Sequence, residues 1–235
     1  AFNLKTAKTP LCKPREKYLT AFFIAFVCAA ALFVPYMIYD KGYFLFYGDF
    51  NVQQVPFYKL AHEAVRSGSI NWSFGTDLGT NFIGSYTFYL LGSPFFWLTL
   101  PFPTEFVPHL IGPLLILKFS FASLTCYAFL SRFVKNKDFA VLGGVLYAFS
   151  GFSVYNIFFN HFHEAIVYFP LLLLSLELLV KDNRRGVFAF VVFLCALSNY
   201  YFFFGMVVYT LIYFVLRCLS PDWKMTFKKF LVVAL

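Results

Sequence analysis

A few side chains stand out for the chemistry they could do. Asp49 lies in a polar break, Gly48-Asp49, within aromatic surroundings. Glu164 sits beside His161 and His163, and Lys118 interrupts an otherwise apolar run. A carboxylate in such a setting can take a proton from a hydroxyl, while cationic or hydrogen-bonding groups stabilise a departing anion. Asp49 could instead ligate a divalent cation (Mg or Mn), or cap the helix that follows it. Glu164 reads either as a second acid flanked by two ligand-binding histidines or as a helix N-terminal acid favoured by the dipole. Two His at i, i+2 with one Glu lack a third zinc ligand at a recognisable spacing. A lysine in mid-span costs on the order of 3 kcal/mol on insertion scales. Lys118 should therefore face a cavity or pair with another group, since its depth hinders snorkelling. Glu177, with Lys181 four residues on, reads as an i, i+4 pair.

Other signatures are missing. Gly75, Gly79 and Gly84 fit neither GxGxxG nor P-loop spacing, and no Ser-His-Asp arrangement is visible, which argues against nucleotide-dependent chemistry. Cys12, Cys28, Cys126, Cys195 and Cys218 form no CxxC pair and read as packing residues.

The elements that must position these residues follow from composition. The 235 residues are 60% hydrophobic and 13% charged, with mean hydropathy +0.71. A soluble domain is about 25% charged. Phe alone contributes 36 residues, and aromatic residues make up 23%. The chain reads as an all-α polytopic membrane protein. A span needs about 20 apolar residues, and the runs 18–39, 110–130, 139–159 and 165–180 qualify or come close. The stretch 187–216 is too long for one span and is interrupted by Ser198-Asn199. It divides into a short helix, 187–197, and a second, 201–216, with Asn199 placed at a water-filled cavity or a thinned bilayer. The run 230–235 resembles the start of another span, so the chain reads as the N-terminal part of a longer protein.

Charge orients this layout. With the N-terminus inside, the inner segments hold Lys5, Lys8, Lys13, Arg15 and Lys17, then Arg132, Lys135 and Lys137. Further on they hold Lys181, Arg184 and Arg185, and finally Arg217, Lys224, Lys228 and Lys229. Outside remain Lys41, Lys59 and Arg66, against Asp40, Asp49, Glu63, Asp77, Glu105 and Glu164. That distribution obeys the positive-inside rule. The net charge of +8 thus reports orientation and attraction to anionic lipid heads, not nucleic acid.

The outer loop, 40–109, carries its own structure. Phe57, Leu60, Ala61, Ala64 and Val65 share one helical face, with Gln53, Gln54, Lys59, Glu63 and Arg66 opposite and Pro56 in the first turn. This pattern predicts an amphipathic helix in the outer interface. Trp72 follows as an anchor, then a glycine-rich polar stretch. The aromatic segment 85–103 reads as interfacial or re-entrant.

The order of several motifs resembles a known family. Gly48-Asp49-Phe50, Gln53-Gln54-Val55-Pro56-Phe57-Tyr58, Trp72-Ser73-Phe74, Asp77-Leu78-Gly79-Thr80-Asn81-Phe82 and Tyr89-Leu90-Leu91-Gly92-Ser93-Pro94-Phe95 come first. Leu117-Lys118-Phe119-Ser120, Asn160-His161-Phe162-His163-Glu164, Phe169-Pro170-Leu171 and Ser198-Asn199-Tyr200-Tyr201 follow. Together, over most of 18–216, they resemble the YfhO family of bacterial membrane proteins.

That resemblance implies a GT-C-like transmembrane bundle with juxtamembrane helices in its first outer loop. It implies an inverting glycosyltransferase in the bacterial plasma membrane, working on the extracytoplasmic face. The donor would be a sugar on polyprenyl phosphate such as undecaprenyl phosphate. The acceptor would be a cell-wall polymer such as lipoteichoic acid or another wall polysaccharide. Asp49 would then be the general base and Glu164 a second acid. Lys118, His161 and His163 would hold the lipid phosphate or sugar, and Asn81, Asn199 and Gln53 would hydrogen-bond the substrate. A transporter or flippase of lipid-linked sugars is the main rival, because broken helices and a buried lysine also mark substrate pathways. A non-catalytic scaffold is a second rival.

Overall fold

The computed structural model describes residues 14–76 and 78–223. The bases up to Lys13, Cys12, Asp77 and the stretch 224–235, with its candidate further span, lie outside the described residues. The chain is an all-α polytopic membrane protein. Among the described residues, five helical segments are long and apolar enough to cross a membrane: Lys17–Tyr39, Thr104–Leu130, Lys137–Phe158, Asn160–Asp182 and Tyr200–Cys218.

The first is helix α1 (Pro14–Tyr39). The segment between α1 and the next span then forms α2 (Val55–Ser67), a hairpin of β1 (Trp72–Ser73) and β2 (Thr80–Asn81), α3 (Phe82–Tyr86) and α4 (Pro94–Trp97). Between α3 and α4 runs a π-helical turn, Thr87–Leu91. The bundle continues with α5 (Val107–Leu130), α6 (Lys137–Ala148), α7 (Gly151–Tyr155) and α8 (His163–Asp182). It ends with α9 (Arg185–Ser198) and α10 (Tyr200–Cys218).

Helix α5 is central, with α1, α6 and α8 packed on it and α9 against α8. Small residues bring these helices together. Ala21, Ala25 and Ala29 are buried at i, i+4 spacing on α1, and Ser123 of α5 donates to the Ala21 carbonyl at 3.0 Å. Small residues are favoured at such interfaces because the backbones can approach closely.

The apolar stretch 187–216 is two helices, and Asn199 between them is extended, with φ −158° and ψ 95°. Asn199 is buried rather than set in a wet cavity. Its Oδ1 accepts from the Phe202 amide at 3.1 Å and caps α10. Its Nδ2 donates to the His161 carbonyl at 3.3 Å.

Helix α2 has the amphipathic face read from its sequence, but that face meets protein instead of lipid. Tyr58, Ala61 and His62 are buried beside it, and α2 packs on α5. His62 donates from Nε2 to the Thr99 carbonyl at 3.2 Å, and its Nδ1 accepts from Thr104 at 2.9 Å. Gln54, assigned to the polar face, is buried as well. The segment 85–103 is likewise clamped to protein. A Cβ on Gly92 would lie 1.9 Å from the Leu197 carbonyl oxygen, so only glycine allows the π turn to reach the end of α9.

At the opposite end of the bundle, Glu177 is more than half of an i, i+4 pair. It is fully buried and accepts from Arg217 Nε at 2.7 Å, Tyr213 at 2.7 Å and Trp223 at 3.1 Å. Lys181 stands 3.6 Å away. Asp222 joins this cluster through Lys181 at 2.6 Å and Arg217 at 2.9 Å.

Candidate functional site

The candidate site is a cavity of about 460 Å³ at the end of the bundle where α1 finishes and α8 and α10 begin. Its polar lining is Asp49, Gln53 and His161. Its walls are aromatic: Phe88 and Tyr89 from the π turn, Phe159 and Phe162 beside His161, and Tyr201 and Phe202 from α10. Asp49 sits just before a π-helical turn, Phe50–Gln54, and makes no side-chain cap bond to it. Among the described residues its carboxylate has no hydrogen-bond or ion-pair partner. The same backbone turn sets Gln53 on the cavity and directs Gln54 into the protein, where both of its amide atoms lack a partner among the described residues.

His161 is held by rings. The centroids of Phe88, Tyr89 and Phe162 lie 4.9, 4.9 and 4.6 Å from its own. Its 3₁₀ turn, Asn160–Phe162, is held from three sides, two of them through backbone carbonyls. Asn199 binds the His161 carbonyl, as described above. Lys118 Nζ donates to the Asn160 carbonyl and to Asn160 Oδ1, both at 2.9 Å. Asn160 Nδ2 donates to the Tyr58 hydroxyl on α2 at 3.3 Å. Burial, reinforced by the nearby Glu164 carboxylate, holds the Tyr58 phenol well above its usual pKa, so it stays protonated.

Lys118 completes its donor set with Glu164 Oε1 at 2.8 Å, in a pair whose side chains are 0% and 1% exposed. Ser93 donates to the same oxygen at 2.5 Å. A continuous buried chain thus runs Ser93, Glu164, Lys118, Asn160, Tyr58. It links the loop before α4, α8, α5, the Asn160 turn and α2.

The structure therefore sorts the residues read from sequence into three groups. Asp49, Gln53 and His161 share the cavity. Lys118 and Glu164 lie behind it, paired with each other, with all three ammonium donors taken. In this arrangement the lysine braces the turn through Asn160 and Glu164, and the glutamate is neither solvated nor on the cavity. His163 is also behind, donating from Nε2 to the Ser153 carbonyl at 3.0 Å and packed on Phe119. Asn199 is a cap and tether. Asn81 stands apart from the cavity, accepting from the Gly84 amide at 2.7 Å to cap α3.

Sequence reasoning missed Tyr58, Ser93 and Asn160 as parts of the scaffold. The signal available was a lysine that had to find partners. The cavity aromatics were visible only as part of a general aromatic excess.

A resident divalent cation does not fit this donor set. Among the described residues Asp49 is the only carboxylate lining the cavity, and no three His, Cys, Asp or Glu side chains converge to hold a metal.

No curated protein and no solved structure matches the chain. The family model described as bacterial membrane protein YfhO matches residues 21–235, which include every residue of the cavity and of the buried chain behind it. The chain belongs to the YfhO family of bacterial membrane proteins.

Proposed function

We propose that the chain is a membrane glycosyltransferase that moves a sugar from a polyprenyl-phosphate donor to an extracytoplasmic cell-wall polymer, such as lipoteichoic acid or a wall polysaccharide. The observation that carries this reading is the Asp49 carboxylate, without a partner among the described residues, beside Gln53 and His161 on an aromatic-walled cavity. Aromatic faces suit the C–H faces of a sugar ring, and an amide and an imidazole suit its hydroxyls.

In the proposed step Asp49 takes the proton of an acceptor hydroxyl. The acceptor oxygen bonds to the anomeric carbon from the face opposite the phosphate. The bond from that carbon to the phosphate oxygen breaks, and polyprenyl phosphate leaves with the electron pair. Configuration at the anomeric carbon inverts. His161 and Gln53 orient the sugar or donate to the leaving phosphate, and the Lys118–Glu164 pair keeps the His161 turn in place. The distribution of basic residues supports an N-terminus inside the plasma membrane and a cavity outside.

The test is Asp49→Asn in purified full-length protein given a polyprenyl-phosphate sugar and an acceptor polymer. A general base is typically worth 10²–10⁴ in rate, so transfer should fall by about that factor while the protein still folds. Wild-type transfer by the variant removes Asp49 from the mechanism. Movement of lipid-linked sugar across liposomes without any transfer would make the chain a transporter.

A further inference from the structure

The aromatic wall of the cavity does not stop at its rim. Phe159, which lines the cavity, lies 4.2 Å from Phe158, centroid to centroid. Phe158 in turn meets two tyrosines, Tyr47 at 5.5 Å and Tyr155 at 5.7 Å. Both tyrosines are open, at 61% and 71% exposure. Tyr155 ends α7, and Phe158 closes the 3₁₀ turn Asn156–Phe158 that follows it. Tyr47 comes from a different element, the loop that carries Asp49. The Asn51 carboxamide clamps that loop, accepting from the Phe46 amide at 3.0 Å and donating to the Phe46 carbonyl. Gly48, at φ +59°, makes the left-handed turn between the tyrosine and the aspartate. One short clamped loop therefore holds Tyr47 and Asp49 together.

A general base must stand beside the hydroxyl it deprotonates, so rings tied to the Asp49 loop lie on the acceptor's side of the cavity. We propose that Tyr47, Tyr155 and Phe158 form an acceptor subsite, stacking the sugar unit next to the one that is modified. The acceptor is then a chain of pyranose rings. This rests on the transferase reading of the cavity, and of the two acceptor polymers named for it the wall polysaccharide fits. An open tyrosine offers an apolar face to the C–H face of a pyranose and a hydroxyl to its rim. Among the described residues no Lys or Arg lines the cavity, and none stacks on these three rings. Nothing there matches the repeated negative charge of a poly(alditol phosphate). An aromatic anchor at a membrane surface needs neither ring contact with the cavity wall nor a loop shared with the base.

The experiment uses the full-length protein in nanodiscs and saturation-transfer NMR. The probes are β-1,4-linked glucose chains of one and three units, whose equatorial hydroxyls leave the ring faces apolar, and a glycerol phosphate trimer. The three-unit chain should bind about tenfold tighter than the single unit, and tighter than the glycerol phosphate. Tyr47→Ala and Tyr155→Ala should each cut that chain-length preference about threefold or more. Tyr47→Phe and Tyr155→Phe should keep it, because the ring face does the stacking. Equal binding of one and three units, tighter binding of the glycerol phosphate, or an unchanged preference in both alanine variants would overturn the proposal. So would alanine variants that lose thermal stability but keep the preference, which would make the tyrosines membrane anchors. Polyprenyl-phosphate glucose is then added. Tyrosine-dependent chain binding without any transfer would keep the subsite and sink the transferase reading. Transfer without a chain-length preference would sink the subsite alone.

Discussion

The Lys118–Glu164 pair gives the sharpest test of how this fold is held. At 2.8 Å and an effective dielectric of about 20, the two charges attract by about 6 kcal/mol. Desolvation of several kcal/mol per ion offsets most of that, so the intact pair adds little net stability. Removing one partner is different. Lys118→Met leaves a carboxylate buried with only the Ser93 hydroxyl bonded to it, and strips Asn160 of the donor to its carbonyl and Oδ1. Breaking a buried pair in this way costs roughly 3–5 kcal/mol. Replacing both charges, Lys118→Met with Glu164→Gln, removes the orphaned charge but still leaves the Asn160 acceptors without a donor, so it should cost clearly less than the sum of the two single variants without returning to wild type. The assay is a double-mutant cycle on four purified proteins, unfolded in mixed micelles of rising denaturing-detergent content and followed by circular dichroism. A single variant within about 1 kcal/mol of wild type, or a double variant as damaged as the sum of the singles, would refute the pairing argument.

Other outcomes follow from the same geometry. Gly92→Ala forces a methyl against the Leu197 backbone, which cannot swing aside, and should destabilise by roughly 1–3 kcal/mol as overpacking does; an unchanged thermal midpoint would show that the π turn does not press on α9 as described. Asp222 is held well below its ordinary pKa of 3.8, chiefly by the Arg217 guanidinium and then by Lys181 and Ser220. A depressed carboxylate stabilises above its unfolded pKa and loses that contribution as pH falls through the folded value. Asp222→Asn should therefore lower the melting temperature by a constant amount from pH 5 to 8, with the gap closing below pH 3.8. A gap that persists in strong acid would mean that Asp222 acts through packing and not through charge.

Much of the helical frame was legible because runs of about 20 apolar residues have few alternatives. The break at Asn199 was legible too, as a polar interruption of a stretch too long for one span. The partners were not. Lys118 plainly needed an acid or a carbonyl, but sequence offers no rule that selects Glu164 and Asn160. The link from Asn160 to Tyr58 spans 102 positions. For α2, a stripe such as Phe57, Leu60, Ala61 and Ala64 looks alike whether it meets lipid or α5. His62 on that helix and Gln54 just before it, both buried, are what distinguish the two cases. The hairpin was invisible because strands of two residues, Trp72–Ser73 and Thr80–Asn81, are too short to show a period of two.

Several polar side chains within the membrane-crossing segments share a physical task. Irregular backbone at membrane depth is tolerated only where protein satisfies its carbonyls. Pro170 has no amide hydrogen, so it frees the carbonyl four residues earlier in α8. That carbonyl belongs to Ile166, and the Tyr147 hydroxyl donates to it at 2.9 Å. The Asn160 and His161 carbonyls, left over where the 3₁₀ turn precedes α8, are met by Lys118 and Asn199. His163 meets Ser153, and Ser198 meets the Gly92 carbonyl where the π turn stops, at 3.1 Å. Each donor serves a break, and the breaks at Asn199 and around Asn160 flank the cavity. An apolar substitute for Lys118 could fill its volume but could not satisfy the Asn160 carbonyl, so the turn carrying His161 would rewind or hydrate. A lysine deep in the bundle, with its own counter-ion, is thus what lets a non-helical turn stand there and present an imidazole to the cavity that holds Asp49.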